Sequence, residues 1–204
     1  MTLSSGLAVL KPRCVTYIIA MKSFRRIDIR PAGPDDIMMI ASVIVETWRS
    51  TFRGLISDAF LDGMSIEEQA LRHARRMRIA DVFHLVAVDM STNRVIGFAN
   101  YGKARSMPPR FDRELYALYI LKEFQGAGIG SALVRSVAGH CRELGGKSLF
   151  AWVLSSNPSR GFYERLGAVA VGQGQVSLGG ENHDQTAYRW NDLAKLSGDG
   201  RFSA

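Results

Sequence analysis

Cysteine is nearly absent: Cys14 and Cys141 are the only two among 204 residues. That scarcity fits a reducing cytoplasm, where the chain is expected to reside. Cys141 falls on the apolar face of a helical stretch, where a free thiol packs as a small hydrophobe. The four histidines are scattered; with the cysteines they make no spaced ligand set, so no metal site is expected. No apolar run approaches the ~18–20 residues of a membrane span, so no membrane partner is expected either. Repeats, low-complexity blocks and domain linkers are also missing. What remains is one domain of ordinary hydrophobic content, 47%, long enough for a sizeable core.

Charge is present but misleading. The net +7 is concentrated near the start: Lys11, Arg13, Lys22, Arg25, Arg26 and Arg30 face Asp28 alone, so residues 1–30 carry +5 and residues 31–204 only +2. A basic face tracking nucleic acid is therefore unsupported, and no such partner is expected. The apolar residues Leu7 to Leu10 and Val15 to Ala20 are interrupted by Lys11-Pro12-Arg13, a poor signal-peptide core. Met21 precedes the first clear strand. Residues 1–23 thus read as a loosely attached extension or a start assigned too early, with a targeting leader as the alternative.

Residues 24–30 alternate apolar and polar and read as an edge strand. Pro34-Asp35-Asp36 opens a helix with proline and acids at its positive end, and Ile37, Ile40, Ala41, Ile44, Val45 and Trp48 mark its buried stripe. Ser65-Ile66-Glu67-Glu68 is a capping box for a second helix running to about residue 80. Residues 83–88 and 95–101 form a hairpin around Met90-Ser91-Thr92-Asn93. A strand at 114–121 leads into the run Gln125-Gly126-Ala127-Gly128-Ile129-Gly130, which opens a long helix. Its apolar face carries Ile129, Leu133, Val134, Val137, Ala138, Cys141 and Leu144, and Gly145-Gly146 stops it. A strand at 148–154 follows. Asn157-Pro158 starts a short helix with Asn as N-cap, ending at Leu166-Gly167. Strands at 168–173 and 186–190 form a final hairpin across a glycine-rich loop. The predicted order is βααβββαβαββ, an α/β fold with a mixed sheet. Its domain spans 24–192, with a tail at 193–204.

The glycine run sits where a strand, a tight turn and a helix N-terminus meet. Free N–H groups and the positive dipole end make such a place an anion site, most often for phosphate. Its spacing, Q-x-x-G-x-G, is not the dinucleotide fingerprint G-x-G-x-x-G, and the Lys-Ser/Thr pair of a P-loop is missing. A turn glycine needed only for packing is the plainer reading of the run by itself.

A second segment changes that balance. About 30 residues on, beyond another strand, lies Asn157-Pro158-Ser159-Arg160-Gly161-Phe162-Tyr163-Glu164-Arg165-Leu166-Gly167. The pair of segments, with the elements between them, resembles motifs A and B of the GNAT superfamily of acetyl-CoA-dependent N-acetyltransferases, over roughly residues 24–192. The resemblance implies a mostly antiparallel mixed sheet whose central strands splay apart, flanked by helices. It implies acetyl-CoA as cofactor, with the backbone N–H groups of Gln125, Gly126, Ala127, Gly128, Ile129, Gly130 and Ser131 on the pyrophosphate. Leu118, Tyr119 and Ile120 would pair with the pantetheine arm, and amides near Ile120 would polarise the thioester carbonyl. Tyr163 matches the tyrosine placed near the thioester sulfur, where a phenol can protonate or hydrogen-bond the leaving thiolate. Asn157 matches a frequent cofactor contact, but it precedes Tyr163 by six residues where the commoner spacing is seven. It reads equally as an N-cap.

The acceptor amine must shed a proton, at a cost of about 4–5 kcal/mol at neutral pH. Glu114, eleven residues before Gln125, matches the offset of a catalytic glutamate in several branches of the family. An acid at the start of a strand is otherwise simply solvated, and some members use water chains instead. Glu46, Trp48, Arg49 and Phe52 on the first helix, with Tyr101 and Tyr116 on strands, are candidates for the acceptor cleft; Trp48 also continues the core stripe. The expected activity is direct acetyl transfer from acetyl-CoA to a primary amine, a small molecule rather than a protein. A catalytically silent acetyl-CoA sensor of the same fold is the alternative, and a nucleotide-binding module a remoter one. A homodimer through the C-terminal strands is implied only by the family.

Overall fold

Period-two alternation buries Ile27 and Ile29 of Arg26–Pro31 (β2) at 1% and 2% exposure. In the computed structural model, which describes residues 19–20, 26–105 and 112–198, this strand is not an edge. Ile19–Ala20 (β1) pairs with it through Ile19↔Ile27 and Ala20↔Arg26, so these two residues of the stretch expected as an extension join the sheet. Cys14 and the rest of residues 1–18, with 21–25 and 199–204, lie outside the described residues.

The strands Val82–Asp89 (β3), Arg94–Lys103 (β4), Arg113–Ile120 (β5), Leu149–Leu154 (β6), Val169–Leu178 (β7) and Glu181–Trp190 (β8) complete an eight-stranded sheet. Its order is β1-β2-β3-β4-β5-β6-β8-β7. Every neighbouring pair is antiparallel except β5 and β6. On β3, adjacent side chains point to opposite faces: Phe83 meets His140 and His84 meets His73, each with ring centres 4.6 Å apart. Ile37–Phe52 (α1), Asp58–Asp62 (α2) and Ile66–Arg76 (α3) therefore lie on one side of the sheet, and Ile129–Glu143 (α4) on the other.

The parallel pair is where the sheet opens. β5 and β6 are paired only at Arg113↔Leu149 and Glu114↔Phe150. Asp112 closes that end, its Oδ2 accepting the backbone N–H groups of Lys147 at 2.8 Å and Ser148 at 3.1 Å. Beyond Glu114 the strands diverge, and the outward backbone groups of β5 have no strand across from them. The β4–β5 register also jumps, from Asn100↔Ala117 to Tyr101↔Leu115, leaving Tyr116 as the extra residue of a β-bulge.

Several elements differ from the sequence reading. α2 was not foreseen, because five residues are too few to show a helical period. α3 ends at Arg76 rather than near 80. The helix expected at Asn157 is Arg160–Arg165 (α5); Asn157 instead accepts the Ser159 N–H on Oδ1 at 2.8 Å and closes a turn ahead of it. The glycine-rich stretch is strand, not loop: β7 and β8 are ten residues each and turn at Gly179-Gly180, both at positive φ (60° and 84°), as a two-residue hairpin turn requires. The domain also runs past residue 192. Asp192 caps Leu193–Ser197 (α6) by accepting the Lys195 N–H, and Leu193 and Leu196 are buried in the core.

Candidate active site

The cleft begins at the start of α4. Gly128 takes the N-cap position at φ 83°, a left-handed conformation that glycine adopts without strain. From Gly126 to Ser131, no backbone N–H has a hydrogen-bond partner among the described residues; the first to find one is Ala132, which donates to Gly128 O at 3.0 Å. These amides and the helix dipole point at one place. Gln125 departs from its expected role. Its N–H donates to Lys122 O at 3.2 Å, and its side chain reaches back to Ile120 O at 2.9 Å, so it braces the turn. Gly130 brings the helix against α5: a Cβ there would lie 3.3 Å from the Phe162 ring.

Two cavities flank the fork. The first, about 540 Å³, is lined by Leu118, Tyr119 and Ile120 of β5, by the glycine turn through Ser131, and by Asn157, Phe162 and Tyr163. The second, about 480 Å³, is lined by Trp48, Arg105, Glu114, Tyr116, Trp152 and Gln185, among others. Both include Phe52, Leu118, Tyr119, Asn157 and Tyr163, so they meet across the open edge of β5. Tyr163 stands at the junction, stacked on Tyr188 with ring centres 5.7 Å apart. Burial, with the neighbouring Tyr119 adding to it, pushes the Tyr163 phenol above its ordinary value, so it stays protonated through the physiological range.

The second cavity is walled on its far side by the β7–β8 hairpin. Leu178 packs with Phe52, Ile56 and Leu61, and a Cβ at Gly179 would lie 2.9 Å from Phe60 Cβ of α2. At its base, Glu114 is 2% exposed. Its carboxylate accepts from Arg105 three times: Nη2 to Oε1 at 2.7 Å, and the backbone N and Nε to Oε2 at 2.8 and 3.3 Å.

Three of the six acceptor-site candidates line this cavity: Trp48, Phe52 and Tyr116. The other three do not. Arg49 holds the carbonyls of Leu61, Asp62 and Met64 at 2.9–3.1 Å, tying α1 to the end of α2. Glu46 is on the solvent side, bonded to Ser42 and Arg94. Tyr101 points to the α4 face, its hydroxyl 2.8 Å from His140 Nδ1. Ala127 turns toward the core rather than the cavity. Sequence reading missed Thr47 and Thr51, one helical turn apart on α1, and Trp152, which strand alternation on β6 would have exposed. It also missed Arg105, which only the β4–β5 register brings to Glu114.

Residues 44–168 match the model of the acetyltransferase (GNAT) family. The chain is 34% identical over 170 residues to an uncharacterised N-acetyltransferase, YuaI, of Bacillus subtilis (strain 168), covering 83% of this chain and 96% of that protein. Its fold is similar to that of the PaiA N-acetyltransferase of Thermoplasma acidophilum in complex with coenzyme A (TM-score 0.61, 20% identity, 80% of this chain and 99% of that one). It is also similar to the ribosomal-protein-S5-alanine acetyltransferase of Vibrio fischeri (TM-score 0.63, 16% identity, 87% and 97%). The chain belongs to the acetyltransferase (GNAT) family, and is an N-acetyltransferase by that membership. Among the described residues, no helix is long and apolar enough to cross a membrane.

Proposed function

We propose that the chain moves the acetyl group of acetyl-CoA to the primary amine of a small molecule by direct attack. The observation that carries this reading is the meeting of two cavities at Tyr163 across the unpaired edge of β5. The amides of Gly126–Ser131 would hold the pyrophosphate, with no basic side chain required. Leu118–Ile120 would take the pantetheine arm as a strand would. The neutral amine enters from the second cavity and attacks the thioester carbon. The tetrahedral adduct collapses with loss of the C–S bond, and Tyr163 donates a hydrogen bond or its proton to the thiolate. Both Glu114 oxygens already accept from Arg105, so the ammonium proton is assigned to solvent water and Glu114 to holding Arg105.

A cavity of about 480 Å³ suits a small ligand, and the hairpin contact with α2 walls it on one side. The test is release of free CoA across amino acids, polyamines, aminoglycosides and peptides. Tyr163→Phe should lower kcat at least about tenfold while leaving acetyl-CoA affinity within about threefold; the effect is modest for general acid catalysis because a thiolate of pKa ~8.5 leaves readily. An unchanged kcat with chemistry rate-limiting would remove Tyr163 from the mechanism. Acetyl-CoA binding with no transfer to any amine would describe a sensor instead.

A further inference from the structure

The second cavity has an asymmetric charge. Among its described lining residues, Arg105 is the only cation and Glu114 the only anion. They are not equally accessible: the Glu114 side chain is 3% exposed and that of Arg105 59%. The carboxylate lies behind and the guanidinium in front. The guanidinium is also fixed. Its Nε and Nη2 face Glu114, and its plane lies over Tyr116, 3.9 Å from the ring centre. Tyr116 is itself held as the bulge residue, its hydroxyl donating to Lys103 O at 2.6 Å. Nη1, on the other side of the fork, has no acceptor among the described residues. A pre-oriented guanidinium loses little freedom on meeting a planar anion, which is the group it pairs with best.

We propose that Arg105 is a specificity-determining residue that reads a carboxylate on the acceptor, so that the substrate is a small amino acid-type amine rather than a polyamine. This rests on the acetyl-transfer reading for the amine's fate, but not for its binding. A polyamine brings its positive charges against a fixed guanidinium with no exposed carboxylate to offset it. An acceptor with a carboxylate pairs with Nη1, while Trp48 and Trp152 offer apolar surface to its carbon chain.

The experiment compares amino acids of increasing amine-to-carboxylate spacing, each with its carboxamide. It is read as kcat/KM and, in the CoA-saturated protein, as binding by ligand-observed NMR. The expected result is that the acid exceeds its amide by about tenfold or more at one spacing, as a charge-assisted hydrogen bond would give. Arg105→Gln should bring that ratio close to one, and Arg105→Lys, which keeps the charge, should preserve part of it. Glu114→Gln should weaken the ratio by loosening Arg105 without moving the rising, acid-side limb of the pH–rate profile, where the loss of a general base would show. Equal treatment of acid and amide at all spacings, or a ratio that survives Arg105→Gln, would overturn the proposal. A profile that moves with Glu114→Gln would make Glu114 the base and overturn its positioning role. Acid-selective, Arg105-dependent binding without turnover would support this assignment and condemn the transfer reading.

Discussion

Replacing Gly128 by valine should weaken acetyl-CoA binding about 100-fold or more, measured by calorimetry. Gly128 holds φ 83° at the N-cap of α4, a conformation that costs an L-residue about 1–2 kcal/mol and a β-branched one more. Relaxing to negative φ would turn the following amides away from their common target. Each charge-assisted hydrogen bond to phosphate is worth about 1.5–3 kcal/mol, so losing two already exceeds the 100-fold mark. Asparagine tolerates the left-handed region, and a Cβ here meets nothing within 4 Å. Gly128→Asn should therefore retain most of the affinity that Gly128→Val loses. Equal loss in both variants would mean that the side chain's presence, not the turn's conformation, is what matters. Equal retention in both would mean that the cofactor phosphates bind elsewhere.

The second large effect concerns acid stability. His73 on α3 and His84 on β3 meet edge to face, at 2% and 8% exposure, with Phe98 against His73 at 5.4 Å. His73 Nε2 and both ring nitrogens of His84 lack hydrogen-bond partners. Burial pushes His73 from 6.5 down to about 3, with charge repulsion from His84 adding to it. Burial likewise takes His84 down to about 4, with the nearby Arg76 backbone offsetting part of that shift. Both rings are thus neutral in the fold and protonate readily only when it opens. Between 6.5 and these lower values the unfolded chain binds more protons, so stability falls as pH falls through that window. At pH 5 each ring contributes up to ~2 kcal/mol of that loss, a large part of a typical total of about 5–15 kcal/mol. Asp36 does not confuse the window. The hydrogen bond from Arg30 lowers its pKa from 3.8, so its contribution is lost only below that value. Denaturation midpoints from pH 7 to 4.5 should fall steeply for the wild type and less steeply for His73→Leu with His84→Leu. Parallel slopes would show that the pair is not the source.

The cofactor half of the site was legible in sequence, and the acceptor half largely was not. Its turn, helix start and Tyr163 are local features: glycines needed for a left-handed N-cap and a tyrosine on a short helix leave their marks in adjacent residues. The acceptor half depends on register. Tyr101 and Tyr116 sit on neighbouring strands and looked alike, but the bulge at Tyr116 breaks the alternation, and Tyr101 faces His140 on the opposite side of the sheet. Arg49 follows Trp48 on α1, and nothing in the sequence announces that three carbonyls beyond an unforeseen α2 will claim it. The offset of Glu114 from Gln125 fixes where it lies but not that Arg105 covers it. The splay of β5 from β6 follows from Asp112 pinning one end of the pair while the two strands turn to different partners, a relation between residues 36 positions apart.

Amide hydrogen exchange with and without acetyl-CoA tests the central claim most directly, because the site is defined by backbone groups left unpaired. New protection is expected only at the amides of Gly126–Ser131 and along the open edge of Leu115–Ile120, with little change on β7. Exchange unaltered at the Gly126–Ser131 amides, while acetyl-CoA protects another surface, would contradict it.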